Sequence, residues 1–233
     1  GGLWIGAGQF GLVYLREGRF VGYGPREGLA HDTVWAALEA RDGGIWATTE
    51  RGLSLWKDGT FKNYGARDGL PGTALYALCE TSDGTLWVGA RNGTVARLRS
   101  GRFEMVRVPA LENGYVAAIA EDGSGGLWFA SRGAGVTRLK DGVFVHLGPE
   151  AGVLSNYIGA LAAGHDGSMW IGTMEGTVVR AAGGAFTRYD VRDSGGPAIV
   201  STLHEDRDGT LWIGTSSGTV LRLRHDALVA IDA

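Results

Sequence analysis

Residues Glu205-Asp206-Arg207-Asp208-Gly209-Thr210-Leu211-Trp212-Ile213-Gly214-Thr215 decide the reading of this chain: an acidic residue, an Asp-Gly turn, then Leu-Trp-Ile-Gly. The core of the phrase stands also as Leu3-Trp4-Ile5-Gly6 and Leu86-Trp87-Val88-Gly89, and its tryptophan recurs as Trp4, Trp46, Trp87, Trp128, Trp170 and Trp212, at spacings of 42, 41, 41, 42 and 42. A fixed period of this length marks a repeat architecture. A second marker follows each tryptophan by fifteen or sixteen residues, at Phe20, Phe61, Phe103, Phe144, Phe186 and Leu228.

One unit predicts four short strands, at Val34 to Glu39, Ile45 to Thr48, Leu53 to Trp56 and Phe61 to Tyr64. Asp42-Gly43 separates the first two and Asp58-Gly59 the last two, and Asp-Gly suits a type I′ turn, whose two central residues both need positive φ. The first turn recurs at Asp83-Gly84, Asp166-Gly167 and Asp208-Gly209, with Ser124-Gly125 in one copy. The second recurs as Glu17-Gly18, Ser100-Gly101, Asp141-Gly142 and Gly183-Gly184. Helical repeats of similar length would show a period of 3.6, and none competes. The expectation is an all-β protein, a β-propeller of six four-stranded units of about 42 residues, the first lacking its innermost strand. Residues 1–233 read as one propeller domain, a piece of something longer. The count favours six blades in one ring, one of them three-stranded; an array of seven or more is the alternative.

Composition narrows the function. Of 233 residues 41 are Gly, without a collagen period, which fits turns repeated many times. A net charge of −3 lacks the basic footprint of a nucleic-acid binder. No apolar run is long enough for a membrane helix, so direct membrane insertion is not expected. Cys79, the single cysteine, sits in an apolar stretch and reads as a small buried hydrophobe. The six tryptophans read as packing between blades, and the recurrent Asp as turn chemistry.

With E-x-x-D-G-x-L-W-[IV]-G, a third strand ending in a basic residue, then x-F-x-x-Y and G-L, the chain resembles two-component regulator propeller repeats. Tyr64-Gly65-Ala66-Arg67-Asp68-Gly69-Leu70-Pro71 is close to that family's connection between blades. Ala163 stands where the motif has Glu, Ser124 replaces the turn Asp, and Pro197 to Val200 lack the G-L connection. The resemblance implies a sensor region of hybrid histidine kinase-like regulators, periplasmic or otherwise extracytoplasmic, often recognising glycans, with further domains in the parent chain.

Candidate ligand-binding residues follow from position in the unit. Arg51, Arg91 and Arg132 lie four or five residues after a marker tryptophan in three consecutive units, and guanidinium forks suit carboxylates, sulfates or phosphates. Trp35, Tyr76, Tyr115 and Tyr157 fall near the start of the innermost strand, with His31, Asp32 and Asn156 beside them. Aromatic faces next to polar groups suit a sugar ring, so the expected partner is a carbohydrate or anionic small ligand, or else a protein docked on a scaffold. No catalytic, metal or cofactor site is expected. A sialidase-like enzyme would space its turn Asp and Gly differently and need a positioned acid pair or a Tyr nucleophile. A streptogramin-lyase-like enzyme would need a His base and a metal-binding carboxylate, whereas His31, His146, His165, His204 and His225 occupy different positions in their units.

Overall fold

A computed structural model describes residues 2–72, 74–112, 114–148, 152–153, 155–193 and 195–231. It is all-β, a six-bladed β-propeller fold without an α-helix among the described residues. The chain forms two compact units, residues 1–107 and 108–233, each holding three blades, each blade one antiparallel sheet.

In the first unit, blade 1 has three strands (Leu3–Gly6, Leu12–Arg16, Arg19–Tyr23). Blade 2 has four (Val34–Glu39, Ile45–Thr49, Gly52–Lys57, Thr60–Tyr64), as has blade 3 (Leu75–Glu80, Leu86–Ala90, Val95–Arg99, Arg102–Val106). The second unit holds blade 4 (Tyr115–Glu121, Leu127–Arg132, Val136–Lys140, Val143–Leu147) and blade 5 (Ile158–Ala163, Met169–Thr173, Thr177–Ala182, Ala185–Asp190). Blade 6 completes it (Val200–Glu205, Leu211–Thr215, Val220–Arg224, Ala227–Ile231). Each sheet runs in chain order from inner to outer strand, so neighbouring strands are always hairpins.

The two kinds of hairpin turn use different chemistry. Between third and fourth strands both turn residues take positive φ, as at Asp58 (51°) and Gly59 (79°), which is the type I′ geometry. Between first and second strands the expectation of type I′ is wrong. Asp42 is absent from the positive-φ residues while Gly43 is at 78°, the Gly43 amide donates to Ala40 O, and the Ala40 amide donates to Gly44 O. This is a three-residue loop closed by a left-handed glycine. Here Asp42 serves through its side chain, Oδ1 accepting the Gly44 amide at 3.0 Å, as Asp166 Oδ1 accepts the Ser168 amide.

The Gly-Leu connections also have a physical cause. Gly65 to Leu70 turns through a 3₁₀ segment, Ala66–Asp68, in which Asp68 Oδ2 accepts the Gly65 amide; Gly69 follows at φ 92°. A Cβ on Gly69 would lie 2.1 Å from Phe103 O, so only glycine lets this connection close on the outer strand of blade 3. Leu70 is then buried in the core that blades 2 and 3 share with Trp46, Leu53, Leu75, Leu86 and Phe103. Where the G-L pattern is missing, Arg192–Asp193 pairs with Gly196–Pro197 in a small ribbon, and Val191 and Ala198 supply the buried side chains.

Trp46, Trp87, Trp128 and Trp170 are buried against neighbouring strands, and Arg97, Arg138 and Arg180 lie over the last three at 5.9, 5.3 and 5.5 Å. The motif glutamate, unassigned by sequence reasoning, clips blades together. Glu205 of blade 6 accepts the His165 amide and the Trp170 indole N–H of blade 5, and Glu80 of blade 3 accepts the Arg41 amide of blade 2. Burial would raise the Glu205 pKa, but the donors from His165 and Trp170 outweigh it and hold the carboxyl below its ordinary value.

In blade 5 the clip residue is Ala163. The Trp128 indole of blade 4 instead donates to Asp122 Oδ2 at 2.7 Å, within its own blade. Asp122 also accepts the Ser124 and Gly126 amides, the Ser124 hydroxyl and both Nε and Nη2 of Arg138. Burial alone would raise its pKa; these donors hold it far below the usual carboxylate range.

Candidate functional site

The innermost strand of each four-stranded blade carries a β-bulge near its start: the pairing shifts between Val34 and Ala36, Leu75 and Ala77, Val116 and Ala118, Ile158 and Ala160, and Val200 and Thr202. The residues at the shifts are Trp35, Tyr76, Ala117, Gly159 and Ser201. A bulge re-aims the extra side chain. In the first unit that places two aromatic rings side by side: Trp35 and Tyr76 have centroids 4.9 Å apart at 47°, and Trp35 is 46% exposed. In the second unit the bulge residues are small. Gly159 has a packing reason, because a Cβ there would lie 2.2 Å from Val200 O.

Tyr115 and Tyr157 therefore do not repeat the position of Trp35 and Tyr76; each sits two residues earlier in its unit. They meet Arg132 instead. Arg132 ends the second strand of blade 4 directly opposite Tyr115, its guanidinium carbon 4.7 Å from the ring centroid. Its backbone also bridges to that of Tyr157, a residue 52% exposed. Asn156 holds the adjoining loop: its carbonyl accepts the Gly133 and Gly135 amides at 2.8 and 2.9 Å, leaving the exposed side chain to the surface. One arginine, two tyrosines and one asparagine are thus gathered at one edge of the second unit.

The other two arginines occupy different backbone settings in the first unit. Arg51 is the second residue of a two-residue loop, its amide donating to Thr49 Oγ1 at 3.1 Å. Arg91 opens a longer turn, its amide donating to Ala74 O at 2.9 Å. Both side chains are exposed. His31 is half-buried, with Nδ1 accepting the Thr33 amide and 3.2 Å from Asp32.

A polar cleft of about 510 Å³ opens between blades 5 and 6, walled by His165, Asp166, Arg180, Tyr189, Glu205 and Asp226 among others. In it Tyr189 OH donates to Asp226 Oδ1 at 2.6 Å. Burial first, and then the Asp226 carboxylate, push the phenol up to about 12, so this tyrosine is held protonated. Among the described residues no three His, Cys, Asp or Glu side chains are grouped to hold a metal ion.

A comparison with curated proteins finds no match. Among solved structures, virginiamycin B lyase from Staphylococcus aureus is 18% identical, with a TM-score of 0.84 over 100% of this chain and 81% of that one. PorZ, a surface component of the type-IX secretion system of Porphyromonas gingivalis, is 18% identical with a TM-score of 0.73, over 100% of this chain and 40% of that one. The extracellular domain of a candidate hybrid two component system from B. thetaiotaomicron is 17% identical with a TM-score of 0.53, over 98% of this chain and 39% of that one. At these identities the likeness is one of fold. The family model for the two component regulator propeller matches residues 69–92, 152–175 and 194–217, each match running from the end of a connection between blades through the first two strands of the next blade. The matched stretches fall in blades 3, 5 and 6.

Proposed function

We propose that this propeller is a non-catalytic binding module, the extracytoplasmic input region of a signalling protein, and that it recognises an anionic carbohydrate. The observation that carries the reading is the cluster of Arg132 with Tyr115, Tyr157 and Asn156: a guanidinium for a carboxylate or sulfate, an exposed ring for a sugar face, and an amide for hydroxyl groups. The propeller repeats support an input role, because in the relative from B. thetaiotaomicron a propeller-containing region is the extracellular part of a two component system.

The test is a thermal-shift and calorimetry screen against uronate-containing and sulfated oligosaccharides with their neutral counterparts. An anionic glycan should bind the native chain, and Arg132→Ala should weaken it at least about tenfold, the scale of a lost charge-assisted hydrogen bond. Arg51→Ala/Arg91→Ala is the companion variant for the first unit. Unaltered binding after all three arginines are replaced sinks the proposal, as does preference for the neutral glycans.

A further inference from the structure

One row of directly paired residues crosses the sheet in the four-stranded blades: Glu39, Ile45, Trp56, Phe61 in blade 2; Glu121, Leu127, Leu139, Phe144 in blade 4; Glu205, Leu211, Leu223, Leu228 in blade 6. Blade 3 has Glu80, Leu86, Leu98 and Phe103 at these positions. Blade 5 reads Ala163, Met169, Ala181, Phe186. Ala181 therefore stands where Leu15, Trp56, Leu98, Leu139 and Leu223 stand elsewhere. The turn that follows is Gly183-Gly184, without the side chain that Glu17, Asp58, Ser100, Asp141 or His225 brings to its first position.

The missing volume is an open cleft. Between the outer strands of blades 4 and 5 lies a space of about 340 Å³, within the range of small-ligand sites. One wall is Ala181, the Gly183-Gly184 backbone and Phe186; the other is Val143 and Val145, which are 61% and 50% exposed. Trp128, Asp122, Arg138 and Lys140 also line it. Asp122 is matched by Arg138 at 2.6 Å, whereas Lys140 Nζ meets the neutral Ser124 hydroxyl at 2.9 Å. The charged groups lining the cleft among the described residues are two cations and one carboxylate, which leaves one positive charge uncompensated. An apolar slot with one spare cation in its lining selects by chemistry.

From this geometry we infer a second ligand site between blades 4 and 5, separate from the Arg132 cluster, for a small aromatic carboxylate: the ring in the space left by Ala181, the carboxylate on Lys140. The proposal stands independently of the glycan reading.

Phenylacetate is the probe, with benzyl alcohol as its uncharged counterpart, measured by calorimetry and ligand-observed NMR on the whole chain. The native protein should bind phenylacetate, with benzyl alcohol at least about fivefold weaker for want of the charge-assisted contact. Ala181→Leu restores the residue of the other blades, should leave thermal stability equal or higher, and should abolish binding. Lys140→Gln keeps the cleft open and should weaken phenylacetate about fivefold or more while leaving benzyl alcohol unchanged. No phenylacetate binding by the native chain at 10 mM, about a hundredfold above the affinity expected of a filled slot, overturns the site. Equal binding by Ala181→Leu does the same, and equal affinity for the two probes overturns the role of Lys140.

Discussion

Replacing Asp122 by Ala tests the contact within blade 4 that stands in for the interblade glutamate clip. Its side chain is 2% exposed and receives donors from Ser124, Gly126, Trp128 and Arg138. Arg138 is 30% exposed, so its guanidinium can turn to water, but the Gly126 amide and the Trp128 indole N–H are buried and would be left unpaired. At about 1–3 kcal/mol for each of these two buried donors, Asp122→Ala should cost roughly 2–6 kcal/mol. In urea, at about 2 kcal/mol per molar, the midpoint should fall by roughly 1–3 M. Glu104→Ala, which removes an exposed pair with Arg97 at 3.3 Å, should cost less than about 1 kcal/mol. The discriminating variant is Asp122→Ala combined with Ala163→Glu, which places in blade 5 the carboxylate that Glu205 provides in blade 6. It should recover at least about 1 kcal/mol, seen as positive coupling in a double-mutant cycle. A cost for Asp122→Ala no greater than that of Glu104→Ala would mean that the Gly126 and Trp128 donors do not depend on Asp122, and absence of coupling would show that position 163 does not reach Trp128.

Two further expectations come from single groups. Tyr189 should titrate near pH 12 in ultraviolet difference spectra, and Tyr189→Phe should remove that phase; because its folded-state pKa is raised, the stability it contributes is complete below about pH 10 and is lost as pH rises through 12. Gly69→Ala combines a φ of 92° with a Cβ 2.1 Å from Phe103 O, so denaturation should show a loss of about 3 kcal/mol or more, whereas Gly59→Ala, at φ 79° with open space around it, should lose only about 1–2.

The blades were legible in the sequence because each strand is short, nearly every hairpin turn has its own glycine, and the tryptophan keeps register across all of them. The 23 blade strands follow from that pattern, three in blade 1 and four in each of the rest. What the pattern conceals is any feature that changes geometry without changing spacing. The first hairpin turn and the second both read Asp-Gly, yet only the second gives its Asp positive φ, because the first is one residue longer and its Asp caps the turn through Oδ1. The inner-strand bulge likewise inserts a residue without altering the period. Trp35 and Tyr76 fall on it while Tyr115 and Tyr157 precede it, so four aromatic residues that look alike in sequence divide into a ring pair in one unit and an arginine cluster in the other.

Blade 5 shows why departures from a repeat must be separated by whether something compensates them. Stability in such proteins resides in each blade and in its contacts with its neighbours, so a truncation on the face between blades is felt there and nowhere else. Ala163 removes a carboxylate that Trp128 would need, and blade 4 supplies Asp122 in its place, so the loss at 163 is absorbed by one substitution nearby and marks nothing beyond packing. Ala181 removes a leucine-sized side chain from the same row, and here the facing residues have not grown to fill the gap: Val143 and Val145 remain exposed and the space stays open. An uncompensated apolar space costs stability in proportion to its volume, and the simplest repair, a leucine at 181, is the residue the neighbouring blades already carry. A truncation that drifted in neutrally would be removed by that repair without consequence, whereas one that serves a ligand would lose the ligand. Ala181→Leu therefore separates the two origins by opposite readings of one variant: a gain in stability accompanied by lost phenylacetate binding fits a site, and a gain in stability alone fits drift.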